Sequence, residues 1–396
     1  MARASRRQII AGAAAGALAV GLKAPAILAQ TRKPLRLGVL NTFTGINAVP
    51  ADSNFKGMSL YFDRLGGTVA GRKLEIVKED DQFNPQIGLQ KARKLVESDK
   101  VDLICGPQAS NVALALLNFC KESGTFLIVW AGTDAITNAH IPTVWRPALS
   151  SWQLSTPMAG WVYDHLAKDV VCVAADFAAG HDVVKTFKEA YVPKGGKIIK
   201  EIYPPLGSPD YSAYLTDILS LKPAATYNFF TGTDAVRYVQ QYEQFGLKSR
   251  IPLTGFAPIA DGTTLPAQGK AALGVITPQI YFDTLDNAAN KKFVADYRAK
   301  YGAYPDTYSE YGWVTAQVVD EALKGVDGDT SNRDKLIASL AKVAFEAPRG
   351  PFRFDPVTHN PIQNVYITQV AEIGGRLTHK MIGTIRDVRD PGAKAN

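Results

Sequence analysis

From residue 34 onward the chain alternates short, almost continuous apolar runs with longer stretches in which apolar residues recur every three or four positions. The runs 35–40, 74–77, 101–105 and 126–130 read as strands. Between them lie helical patterns: Met58, Tyr61, Phe62 and Leu65, then Leu89, Ala92, Leu95 and Val96, then a helix from about Asn111. A second series follows Arg146-Pro147, with a helix over 153–167, strands at 170–174, 198–203, 225–230 and 251–254, and helices from Asp182, Tyr211 and Asp234. Three helical stretches near 289–301, 307–324 and 332–343 come next, and a hairpin-like pair, 352–354 with 365–370, closes the pattern. Runs this continuously apolar suit parallel strands covered on both faces. Their alternation with helices predicts an α/β fold of two doubly wound parallel-sheet units, with the C-terminal portion returning to the first. Ligands of such sheets sit at the carboxyl ends of the strands. The working loops are therefore those after residues 40, 105, 130, 174, 230 and 254.

Length agrees with this division, since 396 residues suffice for two domains of roughly 150 each. With 20% charged residues and 46% hydrophobic, the composition excludes a collagen, a wholly disordered chain or a disulfide scaffold. The formal charge of +7 shrinks on inspection, because Arg3, Arg6, Arg7 and Lys23 fall in a segment of 29 residues that has no acid. No basic block or aromatic-interleaved stripe remains, so nucleic-acid binding is unsupported. That first segment is basic, then apolar and Ala/Gly-rich, then small through Ala29, the layout of a signal peptide. Ser5-Arg6-Arg7-Gln8-Ile9 also resembles a twin-arginine motif. With Gln at position 30 in place of Cys, no lipid anchor is expected, and the product belongs in the periplasm. Cys105, Cys120 and Cys172 show no metal-binding spacing; they read as buried thiols, with a Cys105–Cys120 bridge as the alternative.

Catalytic and cofactor motifs are missing. There is no GxxxxGK[ST] loop, no GxGxxG after a strand, no GxSxG elbow and no HExxH. Asp176, His181 and Asp182 follow a strand, but three ligands without a fourth make poor support for a metal, and a loop with a helix N-cap is the preferred reading. Asp80-Asp81 reads as a solvated loop. What the strand-end loops offer is hydroxyls, small residues and aromatics. Gly106-Pro107-Gln108-Ala109-Ser110 leads into a helix, where free N–H groups and the Ser110 hydroxyl suit an anion such as a carboxylate. Ser110 as a plain helix cap is equally open. Gly132-Thr133 is a second loop of this kind.

Several marks occur in order along the chain: Gly38-Val39-Leu40 to Thr44-Gly45; Gly66-Gly67 with Gly71-Arg72-Lys73; Glu79-Asp80-Asp81; Lys94-Leu95-Val96; Gly106-Pro107 with Ser110; Tyr297 to Tyr301-Gly302 with Pro305; and Phe352 to Asp355. With these the chain resembles the type I periplasmic solute-binding proteins of ABC importers, in the branched-chain amino acid (Leu/Ile/Val) and amide-binding family. The resemblance implies two lobes joined by a three-stranded hinge, with lobe one at 31–148 plus 280–348, lobe two at 149–279 plus 349–378, and a tail over 379–396. It also implies a monomer that works without cofactor or metal and docks on ABC permease subunits, not an enzyme. The Ser110 and Thr133 positions hold the ligand carboxylate in that family, and an Arg stands at the Arg146 position near a crossover, where a structural role is favoured.

Two departures shape the expected ligand. Ala179 stands where the amino-acid binders carry an aromatic. Phe256-Ala257-Pro258 stands where they present an acid to the ligand ammonium, and no acid follows until Asp261. A buried ammonium without a carboxylate costs several kcal/mol, of order 3–5. Phe43, Trp130, Trp152, Phe177, Phe230, Phe256 and Tyr281 lie at or near cleft-facing loops. Together with Ser110, Gly132, Thr133 and Ala179 they form the expected ligand-binding set, suited to a small carboxylate with an aromatic or hydrophobic body. A branched-chain amino acid or amide binder, and a ligand sensor for a regulatory partner, are the alternatives.

Overall fold

The structure, a computed structural model, describes residues 32–392; the expected signal peptide lies outside them. Two sheets carry the fold. The first runs Thr68–Val69, Arg72–Asp80, Leu35–Asn41, Leu103–Cys105, Leu127–Ile128 and Val144–Trp145, parallel except for the short first strand. In the second, Ile276–Gln279, Leu253–Gly255, Ala225–Phe229, Asp169–Ala174 and Lys197–Ile202 are parallel. Antiparallel strands Pro361–Ile373, Gly350–Phe354 and Ala344–Ala347 extend its other edge.

Two boundaries differ from the sequence reading. Ala344–Ala347, expected with the first lobe, is hydrogen-bonded to Gly350–Phe354 at the edge of the second sheet. The supposed tail contains Arg376–Val388, a strand of 13 residues paired with Pro361–Ile373. Its apolar positions are sparse because one face is solvated, and that pattern hid it.

Strand Leu35–Asn41 is buried along nearly its whole length, as a central parallel strand covered on both faces must be. Its cover includes the helices Ala48–Arg64 and Thr307–Lys324, which cross at two glycines. A Cβ on Gly57 would stand 1.7 Å from the Ser309 carbonyl oxygen, and one on Gly312 would stand 1.9 Å from that of Asn54. The chain crosses from the first sheet to the second near 146–150, and Arg349, in the turn between Ala344–Ala347 and Gly350–Phe354, packs against that connection. The Arg349 guanidinium, fully buried, bonds Glu310 Oε1 at 2.8 Å, the carbonyls of Pro147 and Ala148 at 2.9 and 3.2 Å, and Gln363 Oε1 at 2.8 Å. One side chain thus ties the helix Thr307–Lys324 to the connection at 147–148 and to the strand Pro361–Ile373. Cys105, Cys120 and Cys172 are all buried and free.

Candidate ligand-binding site

The carboxyl ends of the two sheets face each other across one cavity that opens to solvent. Its first-lobe rim is built from the loops at 106–110 and 130–132. Gly106 adopts φ +95°, and a Cβ there would meet the Leu40 carbonyl at 2.0 Å, so only glycine lets the chain turn this close to the neighbouring strand. The helix Ser110–Ser123 follows. Ala109 is its N-cap residue and makes no side-chain cap, and Ser110, the first helical residue, lines the cavity.

The second loop is held from behind by Arg146. This fully buried side chain donates to the carbonyls of Gly132 (2.9 Å) and Thr133 (2.8 Å) and to Thr137 Oγ1 (3.2 Å). Ser151 N adds a bond to Gly132 O at 2.7 Å. Arg146 is therefore a brace that fixes the loop, and it is absent from the cavity wall. No Lys, Arg or His lines the cavity among the described residues.

The second-lobe wall is aromatic. Phe177 stacks on Phe229 with centroids 5.8 Å apart and planes 22° apart, and Phe256 meets Phe229 edge-on at 5.3 Å. Phe83 reaches across from the first lobe to Phe177 at 5.9 Å. Opposite them stands Trp130, its ring fixed by Nε1 donating to Thr315 Oγ1 at 2.7 Å, with Tyr308 and Tyr311 alongside. Such a site holds a flat apolar body by area and ring contacts, and its Ser110 and Gly132 rim suits an anionic end.

Of the residues singled out from sequence, Ser110, Trp130, Gly132, Phe177, Ala179 and Phe256 line this cavity. The other five lie elsewhere. Phe43 turns away because Asp80 and Asp81 hold its loop, and it packs edge-on against Phe55 under Lys78. Those two carboxylates correct a second expectation, since Asp81 is fully buried rather than solvated. Thr133 is buried beside Gly132 with Oγ1 unpartnered, off the wall. Trp152 borders a separate hollow beside Asp134. Phe230 points to the opposite face of its strand, stacked on Tyr238 at 4.4 Å in the second-lobe core. Tyr281 is buried against Phe293 and lines another cavity, near Phe282 and His379.

Asp176 and His181 pair at 2.7 Å on the surface, and Asp176 caps nothing. Among the described residues no group of three or more His, Cys, Asp or Glu could hold a metal. The lobes also touch where Asp134 N donates to Asp182 Oδ2 at 3.0 Å. Burial, with the facing Asp182 charge, pushes the Asp134 carboxyl up to about 7.

Sequence reasoning missed four polar residues of the cavity wall, Asn47, Thr231, Asp261 and Tyr308, of which Thr231 Oγ1 donates to Asn47 Oδ1 at 3.2 Å. The absence of an acid near Phe256 is corrected here, because the helical turn Ala257–Ala260 brings Asp261 back to the wall. Asp261 is buried, and Oδ1 is occupied by its own turn, accepting from Thr263 N (2.7 Å), Thr263 Oγ1 (2.6 Å) and Thr264 N (3.2 Å). Burial pushes this carboxyl up to about 7.

Comparison with known proteins places this architecture. The profile described as "Periplasmic binding protein" matches residues 34–375. The chain belongs to the periplasmic binding protein family. Within it, the Leu/Ile/Val-binding protein homolog 6 of Brucella melitensis is 29% identical over 367 residues, covering 91% of this chain and 94% of that one. A solute-binding protein of an ABC transporter from Rhodopseudomonas palustris BisB5, solved with 3,4-dihydroxybenzoic acid, is 32% identical, covers 91% of this chain and 99% of its own, and has a TM-score of 0.86. A second one from R. palustris, solved with benzoate, gives the same figures. The leucine-binding protein LivK of Thermotoga maritima, at 22% identity and TM-score 0.80 over 89% of this chain and 99% of its own, shares the fold. The chain is thus a type I periplasmic binding protein of the branched-chain amino acid family, an ABC-transporter solute-binding protein and not an enzyme. No helix among its described residues is long and apolar enough to cross a membrane.

Proposed function

We propose that this periplasmic binding protein captures an aromatic carboxylate of the benzoate class in the periplasm and delivers it to the permease of an ABC importer. The observation that carries this reading is the cavity itself, with rings on both walls and a rim of Ser110 and Gly132. The benzoate and dihydroxybenzoate neighbours support it. The first lobe grips the carboxylate and the second lobe covers the ring, so each lobe alone leaves the ligand half wet. To move the lobes from 1:99 to 99:1 closed, the ligand must prefer the closed form by about 10⁴-fold, and the covered ring supplies that preference.

A second reading, a branched-chain amino acid ligand, is favoured by Asp261, which offers a carboxylate to an ammonium. Titration calorimetry with benzoate, 4-hydroxybenzoate and leucine separates the two. Micromolar or tighter binding of the aromatic acids without leucine binding is expected; tight leucine binding without aromatic-acid binding overturns the proposal.

A further inference from the structure

We infer that Phe83 and Phe177, one ring from each lobe, form a gate at the mouth of the cavity that closes over the bound ligand and sets how fast it leaves. This rests on the aromatic-carboxylate reading above and goes beyond it by assigning the residues that govern release.

The exposure of the cavity's rings locates the mouth. Trp130, Phe229, Phe256, Tyr308 and Tyr311 line the cavity, and each is 5% exposed or less. Phe83 and Phe177 line the same cavity and are partly exposed. A ring that faces both a closed cavity and bulk water stands where the two meet. There the two rings touch, with centroids 5.9 Å apart and planes at 56°. Phe83 follows the first-sheet strand Arg72–Asp80, and Phe177 follows the second-sheet strand Asp169–Ala174. Their contact therefore exists only while the lobes are together.

The loop that carries Phe83 is strained and firmly held. Gln82 and Phe83 have φ of +54° and +60°, two consecutive non-glycine residues in the left-handed region. For a bulky side chain this conformation is rare. Each carboxylate at the strand end fixes one of them: Asp80 Oδ1 accepts from Gln82 N at 3.0 Å, and Asp81 Oδ1 accepts from Phe83 N at 2.9 Å. Asn111 Nδ2 donates to the Phe83 carbonyl at 3.1 Å, so both backbone groups of Phe83 are tied to the first lobe. Just beyond, Asn84 caps the helix Pro85–Arg93 by accepting from Gln86 N and Ile87 N. Strain of this kind persists only where the surroundings over-determine it, and it gathers at ligand clamps. Here it holds a half-exposed ring against the opposite lobe. An aromatic pair is worth roughly 2- to 12-fold in an equilibrium. Closure gains this pair and opening loses it, so its effect falls on departure of the ligand, where most affinity differences within one interface lie.

The test is stopped-flow mixing of the full binding protein with benzoate, read by tryptophan fluorescence with Trp130 in the cavity wall. The slope of the observed rate against benzoate concentration gives association, and the intercept gives dissociation. Wild type, Phe83→Ala, Phe177→Ala and the double variant are compared. Phe83→Ala should speed dissociation roughly 2- to 12-fold. In the Phe177→Ala background the same substitution should change dissociation by less than about twofold, because the partner ring is already gone. Equal dissociation from wild type and Phe83→Ala overturns the gate and leaves the aromatic-carboxylate reading standing. Equal acceleration in both backgrounds also refutes it, since Phe83 then acts without Phe177. Failure of wild type to bind benzoate overturns both. The comparison of Phe83→Ala with wild type decides the matter even if Phe177→Ala does not fold.

Discussion

Replacing Ser110 with alanine asks whether the first-lobe rim holds a carboxylate or only opens a helix. A capping serine lost to alanine costs about 1 kcal/mol of stability. Ser110 is the first helical residue rather than the cap, and it makes no cap bond. Alanine is also the best helix former. The unliganded Ser110→Ala protein should therefore melt like wild type, within about 0.5 kcal/mol. The hydrogen bond it withdraws is to a charged ligand oxygen, worth about 1.5–3 kcal/mol, so benzoate affinity should fall roughly 10- to 150-fold. Some binding remains, because the backbone N–H groups at the helix start are unchanged. Titration calorimetry gives the affinity and a thermal melt without ligand gives the stability. A clear drop in melting temperature with benzoate affinity intact would refute the assignment and return Ser110 to a structural role.

Three further outcomes are expected. Arg349→Met leaves Glu310 buried without its partner and should cost about 3–5 kcal/mol in urea unfolding; a loss under 1 kcal/mol would mean the junction relaxes around it. Ala179→Phe puts a ring at a buried position that also lines the cavity, so it should cost about 1–3 kcal/mol of stability and weaken benzoate binding; unchanged affinity would show that the ligand sits elsewhere. Asp261 gives a pH signature. Its folded value, pushed up to about 7 by burial, lies above the ordinary 3.8, so below about pH 4 both states are protonated and nothing is lost. Between about 4 and 7 only the unfolded chain ionises, so stability falls as pH rises, by at most about 4 kcal/mol, and the loss is constant above that window. Thermal melts from pH 4 to 8 should show a flatter decline for Asp261→Asn than for wild type, and parallel slopes would contradict the burial argument.

The parallel strands were legible because both faces are covered, and with them the loops that carry Ser110, Trp130 and Gly132. Ring choice was less legible, for a reason of parity. Phe229 ends its strand and Phe230 follows it, successive side chains point to opposite faces, and nothing local says which face meets the other lobe. Phe229 is at the cavity, and Phe230 is in the core behind it. The polar part of the cavity wall was hidden for a different reason. Asn47, Thr231 and Tyr308 look like ordinary helix starts, and Tyr308 comes 261 positions after Asn47, so their meeting is a product of the chain's return to the first lobe. Asp261 was discounted by linear distance from Phe256, although a single short helical turn folds it back. The strand Arg376–Val388 escaped because half of its residues face water.

Arg146 spends its donors on the back of a loop, so the proposed carboxylate would meet dipoles alone. Affinity built that way owes little to ionic strength, since salt screens charges in contact with solvent far more than oriented hydrogen bonds in a closed cleft. Cargo held without a counter-ion also has no ion pair to break on departure, so parting the lobes is enough to let water in and set it free at the membrane.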